Sequence, residues 1–205
     1  MRHQSLIAIA LLLATSITGF GNSLSEEQQR GRLQVLRSGD VRNISLTPLD
    51  RAYLDARTLL DHNSTCSQFY GGSASEQVLV ELAVRLRTGL INDTKIGIKM
   101  SGSFTWFVDS ENGISYRLFE EAEINSIGPF YRSKIFAAEP FVPNVGSFHP
   151  NTREARILIL LHELAHLIKG RNGMWLIPDD GGNPRLSHQN TLTVESRCGE
   201  EIRAL

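Results

Sequence analysis

The sequence has no long run of positive or negative charge, and its charges almost cancel. Its 205 residues include 21 lysines and arginines and 22 aspartates and glutamates, which gives a formal net charge of -1 at pH 7. A surface for nucleic acid or an anionic membrane needs a clear excess of basic residues, so we expect no nucleic-acid partner. Internal repeats and low-complexity tracts are also lacking. The length and the 41% hydrophobic content predict a single domain with its own core.

Apolar runs long enough to cross a bilayer are lacking as well, because a spanning helix needs roughly 20 apolar residues. One shorter run extends from Leu6 to Phe20, after Arg2 and His3, and ends in Gly19-Phe20-Gly21. A basic start, a short apolar centre and a small-residue end are typical of a secretory signal peptide, whereas a membrane anchor would be longer. We predict that residues 1–21 are a signal peptide. The mature chain is then secreted or periplasmic, with no stable membrane insertion after signal removal.

Cysteine is scarce, with Cys66 and Cys198 as the two examples in the chain. An oxidising exported compartment favours a disulfide between them. Two buried free thiols are the alternative, because no spacing rule connects such distant residues. We predict the disulfide.

The first part of the predicted mature chain is polar. Residues 22–45 are predicted to form a mobile leader or a loosely attached arm, so that the folded domain spans 46–205. Thr47 is a suitable N-cap and Pro48 suits the first helical position. This pattern predicts a helix that runs to about Asp61.

The middle of the chain changes from helical to strand periodicity. A capping box formed by Ser73 and Glu76 predicts a second helix that ends near Gly89. Turn residues over 109–113 then predict a hairpin, and residues 128–150 are predicted to form an ordered loop that packs on the core. The predicted strands of this small antiparallel sheet lie near 96–100, 105–108, 114–118 and 122–127.

The last third of the chain carries the chemistry. Asn151 is predicted to cap a long helix over 152–169, which contains His162, Glu163 and His166. Histidines four residues apart are turned by about 40° from each other around the helix axis, so both can bind one zinc ion. Glu163 is too offset to share that ion, yet close enough to deprotonate a metal-bound water. A helix with two chance histidines is the alternative, but its apolar flanks predict burial, where such side chains need partners.

The pattern His162-Glu163-x-x-His166 resembles the active-site helix of the zincin metallopeptidases, which packs under a small sheet. The resemblance covers this helix and the coarse order of the elements, and it implies a zinc-dependent peptidase. The chain also resembles a group of secreted bacterial proteins in which further residues follow such a helix. The matching residues are Asp180-Gly181, Ser187, Asn190-Thr191 and Cys198.

A catalytic zinc usually has three protein ligands and an open position, so a third ligand is required. Asp180, in a turn after the helix, resembles in its spacing the metal-binding aspartate of the aspzincins and is our first choice. Glu195, on a terminal helix predicted to be capped by Ser187, would give the gluzincin arrangement. Asp179 and His188 are further candidates. The His-x-x-Gly-x-x-His extension of the metzincins is lacking.

Taken together, the patterns predict an α+β fold with two N-terminal helices, a small mainly antiparallel sheet, a central metal-binding helix and a C-terminal helix. The predicted function is peptide-bond hydrolysis with zinc as cofactor, Glu163 as general base and a peptide or protein as substrate. Tyr131 and His149 are candidates for stabilising the transition state. The rival is a secreted, non-catalytic module in which four protein ligands hold a structural metal.

Overall fold

The computed structural model describes residues 24–39, 44–111, 113–133 and 141–205, so the predicted signal peptide lies outside the described residues. These ranges form an α+β fold, as predicted. The helices are α1 (Glu26–Ser38), α2 (Pro48–Asp61), α3 (Thr65–Tyr70), α4 (Ser75–Arg85), α5 (Arg153–Leu167) and α6 (Pro184–Ala204), with a short 3-10 turn at Gly72–Ala74. The strands are β1 (Leu86–Gly89), β2 (Ile98–Asp109), β3 (Ile114–Asn125) and β4 (Ile168–Lys169).

The sheet is built around a long hairpin of β2 and β3. β3 pairs antiparallel with β2 and β4 and parallel with β1, so the sheet is mixed, although two of these three pairings are antiparallel. The predicted strand segments merge into two long strands. In β2 the register shifts between Ser101 and Phe104, around Gly102 with its φ of 84°. This bulge interrupts the alternation of side chains, which explains why one strand was predicted as two.

The prediction that residues 22–45 form a mobile leader or a loosely attached arm is wrong, because residues 26–38 form the helix α1. Ser25 caps this helix in a capping box with Gln28, and Leu33 and Leu36 are buried in the core. The helix packs on α4 and α2. The folded domain therefore begins before residue 46. Polar residues dominate the helix because most of its surface faces solvent. With so few apolar residues, the buried face of Leu33 and Leu36 was not recognised from the sequence.

The helices α2 to α4 agree with the predictions in part. Thr47 caps α2 in a capping box with Asp50, and the helix ends at Asp61, as predicted. The predicted capping box at Ser73 is wrong, because that residue lies in the 3-10 turn and α4 begins at Ser75 without a side-chain cap. The helix also ends at Arg85, where the chain continues directly into β1. The short helix α3 was not predicted.

The central helix α5 is buried on almost every side. Its cap is Thr152, whose side chain accepts a hydrogen bond from the backbone of Ala155, and not Asn151 as predicted. The helix packs against α2, α4, α6 and the β2–β3 hairpin. The Tyr70 hydroxyl of α3 donates to the Leu161 carbonyl at 2.6 Å. Because α5 lies at the centre of the core, any chemistry on it is held rigidly.

The C-terminal helix α6 is tied to α3. Asn183, and not Ser187, caps α6, so the helix begins one turn earlier than predicted. The predicted disulfide is confirmed, since Cys66 of α3 and Cys198 of α6 are bonded and fully buried. In the part of the chain that the structure describes, no helix is long and apolar enough to span a membrane.

Candidate metal centre

His162, His166 and Asp180 bring three donor groups together at the buried surface of α5. The Nε2 atoms of the two histidines lie 3.1 Å apart. Asp180 approaches with Oδ2 3.3 Å from His162 Nε2 and Oδ1 3.6 Å from His166 Nε2. Both histidines are buried, and the Asp180 side chain is 20% exposed. Three residues that were predicted as ligands therefore converge on one point.

The spacing of these atoms fits a metal ion. Two ligand atoms of a tetrahedral zinc site, each about 2.0–2.1 Å from the ion, lie roughly 3.3 Å apart. The two Nε2 atoms lie 3.1 Å apart, each lies 3.3 or 3.6 Å from one of the two Asp180 oxygens, and one ligand atom from each residue can be chosen so that all three lie within 4.8 Å of one another. Two imidazoles and a carboxylate also form a donor set of a kind common in metal sites. His162, His166 and Asp180 could therefore hold a metal ion.

The turn that carries Asp180 has a backbone that suits glycine. Gly181 and Gly182 follow with φ values of 57° and 75°, a left-handed conformation that other residues adopt with strain. The Asn183 amide donates to the Asp180 carbonyl at 2.8 Å and closes the turn just before α6 begins. Glycines at these two positions let the chain reverse direction and hold the carboxylate over α5.

Thr191 fixes the tautomer of His162. Its hydroxyl donates to the Ser187 carbonyl at 2.9 Å and lies 3.1 Å from His162 Nδ1. Because the single hydroxyl proton is used on the carbonyl, the oxygen accepts the Nδ1 proton of the imidazole. Neutral His162 then keeps an unprotonated Nε2 that points at His166 and Asp180. This is the tautomer that a metal ligand needs.

Asp180 is held by hydrogen bonds of its own. Asn190 of α6 donates from its side-chain amide to Asp180 Oδ1 and, at 2.8 Å, to the Pro178 carbonyl. Burial would raise the pKa of Asp180, but its close polar contacts with His162, His166 and Ser187 outweigh it and hold the pKa well below its usual range. The carboxylate is therefore charged.

The two titratable groups beside this carboxylate respond to it in different ways. Burial would lower the pKa of His166, but the hydrogen bond and charge of Asp180 raise it overall. Burial raises the pKa of Glu163, and the nearby histidines oppose that shift only in part. Glu163 is 9% exposed and lines the cleft described below. A carboxylate with a raised pKa beside the donor atoms is suited to accept a proton.

The other ligand candidates have different partners. Asp179 forms an ion pair with Arg117, and its Oδ1 lies 4.0 Å from His166 Nδ1. Glu195 accepts hydrogen bonds from Ser147 and pairs with Arg203, on the side of the loop that precedes α5. It does not belong to the group of converging donors in the described residues.

His188 is exposed and lines the cleft without joining the donor group. The two candidates for transition-state stabilisation do not line the cleft. The Tyr131 hydroxyl lies 3.3 Å from the Thr88 hydroxyl, and the exposed His149 contributes its carbonyl as an acceptor for Thr152. Tyr131 therefore contacts β1, and His149 lies beside the N-cap of α5. His188 is one of several cleft residues, with Lys99 and Ser187, whose side chains could donate to a bound group.

A cleft of 660 Å³ opens at the three donors. It lies between the start of β2 and the first turns of α6, and Glu163 faces it from α5. This volume falls within the range of about 300–1,000 Å³ that is usual for ligand sites. The walls include Ile98, Lys99 and Met100 on the strand side and Gly182, Ser187 and His188 on the helix side.

The residues that support the donors are harder to predict from the sequence than the donors themselves. The resemblance to secreted bacterial proteins pointed to Ser187 and the Asn190-Thr191 pair but gave them no role. In the structure Thr191 contacts His162, and Asn190 and Ser187 contact Asp180, so these residues hold the ligands in place. Arg117 was not predicted at all, although a charged residue in the middle of a predicted strand is a weak signal.

Comparison with protein-family models, curated proteins and solved structures gave no match to this chain.

Proposed function

We propose that this protein is an exported zinc-dependent hydrolase of the zincin type that cleaves peptide bonds. The observation that carries the proposal is the group of His162, His166 and Asp180 with Glu163 beside it, at one end of an open cleft. Three protein ligands leave a coordination position free, as catalytic zinc sites do. The buried disulfide is consistent with an exported protein.

Each residue has a defined task in this proposal. His162, His166 and Asp180 hold the ion, and Thr191 and Asn190 orient two of these ligands. When bound, zinc would polarise the substrate carbonyl and make water more acidic. Glu163 accepts the proton of the attacking water and then delivers it to the leaving amine. Its burial, which raises its pKa, makes the carboxylate a stronger base toward that water.

The position of β2 supports a peptide as the substrate. β2 lies at the end of the strand order β1-β3-β2, and its first residues, Ile98 to Met100, line the cleft. An extended peptide can add to such an edge through backbone hydrogen bonds, independently of its sequence. The cleft would then present the scissile bond to Glu163.

The proposal is tested by metal content and hydrolysis of a peptide library with the purified full chain. The parent protein should bind one zinc per chain, and Glu163→Gln should retain the metal but lose at least about 100-fold in hydrolysis. Glu154→Gln, on the first turn of the same helix, is the control and should retain activity. Undiminished hydrolysis by Glu163→Gln would refute the assignment of the base.

The third ligand is tested by comparing Asp180→Ala with Glu195→Ala. We expect Asp180→Ala to lose stoichiometric zinc and Glu195→Ala to keep it, because Glu195 pairs with Arg203 away from the donors. The opposite result would favour the gluzincin arrangement. A site with four protein ligands, seen by X-ray absorption, together with no hydrolysis by the parent, would support the structural-metal rival.

A further inference from the structure

Arg117 lies at the centre of a cluster of aromatic rings directly beside the candidate metal centre. It occupies the middle of β3 and is only 3% exposed. Its guanidinium carbon lies 3.8 Å from the centre of the Trp175 ring, and the rings of Phe119 and Phe104 lie at 5.1 and 5.4 Å. The rings shield the guanidinium from water, so its polar contacts are stronger than those of a surface arginine.

The polar contacts of Arg117 join two segments that carry metal ligands. Nε donates to the His166 carbonyl at 3.1 Å, at the end of α5, where carbonyls lack helical partners. Nη1 donates to Asp179 Oδ2 at 3.1 Å, and Nη2 donates to Oδ1 of the same carboxylate. Asp179 immediately precedes Asp180. The planar fork of one arginine therefore connects the backbone of one ligand with the neighbour of another.

Asp179 also faces the far side of the His166 ring. His166 Nδ1 is buried and has no hydrogen-bond partner among the described residues, and Asp179 Oδ1 lies 4.0 Å from it. A neutral His166 that offers Nε2 to a metal carries its proton on Nδ1, the atom that lies 4.0 Å from Asp179 Oδ1. Carboxylates behind metal-bound histidines commonly orient the ring, and at 4.0 Å Asp179 acts on His166 through its charge rather than through a hydrogen bond.

We propose that Arg117 and Asp179 form a clamp that positions His166 and Asp180 and thereby sets the affinity of the site for its metal. The inference depends on the metal-binding part of the proposed function and not on catalysis. Arg117 touches neither substrate nor ion and is a positioning residue. The clamp explains why a buried positive charge lies next to a cation site, where charge alone would oppose binding.

Charge and position make opposite predictions for Arg117. If Arg117 acted only through its charge, removing it would relieve repulsion and tighten zinc binding. If it positions the ligands, removing it releases the end of α5 and the turn with Asp180, and zinc binding weakens. Arg117→Lys adds a second comparison, because it keeps the charge but lacks the fork that reaches both partners.

The experiment measures the Kd for zinc of the full chain by competition with a chromophoric chelator. We expect Arg117→Met to raise the Kd by 10- to 100-fold, Arg117→Lys to raise it less, and Asp179→Ala to raise it by at least tenfold. The Asp179 side chain is 59% exposed, so its removal leaves the core intact. Asp55→Ala, which breaks the Arg153–Asp55 pair at the N-terminal end of α5, is the matched control and should leave the Kd unchanged.

The possible results separate the clamp from the proposed function. A higher Kd in the Arg117 and Asp179 variants, with the Asp55 variant unchanged, supports the clamp. An unchanged or lower Kd in the Arg117 variants overturns it, even if Asp179→Ala binds weakly, because charge then explains that loss. Should Arg117→Met fail to fold, Arg117→Lys decides in the same way. Absence of zinc binding in the parent chain would overturn both proposals. If the parent binds zinc and the Arg117 variants bind it with the same Kd, the clamp alone is overturned.

Discussion

At the scale of single residues, the site depends on groups that bind no metal themselves. His162 can offer Nε2 only if its proton stays on Nδ1, and the Thr191 hydroxyl secures this because its own proton is used on the Ser187 carbonyl. Asn190 acts similarly on Asp180. Two of the three donors are thus held in place by residues of α6, the next helix along the chain after α5.

Replacing Thr191 with Val should weaken zinc binding. The substitution keeps the shape of the side chain but removes the acceptor for the His162 Nδ1 proton, so we expect a rise in Kd of about tenfold or more. Thr191→Ser should restore binding. The control is Thr193→Val, because the Thr193 hydroxyl makes the same kind of bond to a helix carbonyl but faces away from the site. Equal Kd values for the Thr191 and Thr193 variants would contradict the role of the hydroxyl.

At the scale of elements, helix α1 belongs to the folded domain and is fixed by both apolar and polar contacts. Leu33 and Leu36 are buried, and Arg32 of α1 donates to both oxygens of Asp50, the N3 residue of α2. Asp50 also accepts from the backbone and hydroxyl of Thr47. One carboxylate therefore caps α2 and anchors α1.

The Asp50 carboxylate should make stability depend on pH. Burial by itself raises the pKa of Asp50, but the hydrogen bonds from Arg32 and Thr47 outweigh it, so the pKa lies below the usual value. Stability from this group is therefore complete above the ordinary aspartate range, near 4, and is lost as the pH falls through the lowered pKa. Asp50→Asn should reduce the free energy of unfolding at neutral pH by about 1.5–3 kcal/mol and flatten its acid dependence.

Urea unfolding at neutral and acid pH measures both effects. Asp55→Asn on the same helix is the control, since its pair with the half-exposed Arg153 should contribute at most about 1 kcal/mol. If Asp50→Asn lost as much stability on acidification as the parent, the stated pKa shift would be wrong.

The boundaries of α2 were predicted well because local chemistry decides them. Thr47 and Asp50 form a capping box within one turn, so α2 could be read from neighbouring residues. The start of α4 could not, because Ser73 and Glu76 form an equally good local pattern that the 3-10 turn after Gly71 overrides. The helix α1 was missed because its stability comes from packing on α4 and α2, which composition does not reveal.

At the scale of the whole molecule, the disulfide closes a loop with a sequence separation of 132 residues and holds α6 against α3. Replacing Cys66 and Cys198 together with alanine should lower the free energy of unfolding by about 2–5 kcal/mol, mainly because the unfolded chain gains freedom. Urea unfolding of the parent with and without reductant provides the comparison. A double variant as stable as the oxidised parent would contradict the expected contribution.

The sequence by itself determined the pair of histidines and the adjacent glutamate, because the spacing of residues on a helix follows from its hydrogen-bond geometry. The Thr47 cap of α2 and the pairing of the two cysteines were predicted for similar local or compositional reasons. Only the tertiary structure placed Asp180 beside the histidines, paired Asp179 with Arg117 and directed Glu195 toward Arg203. These placements depend on how remote segments pack, and a buried arginine among aromatic rings, rather than a local motif, fixes the turn that carries the third donor.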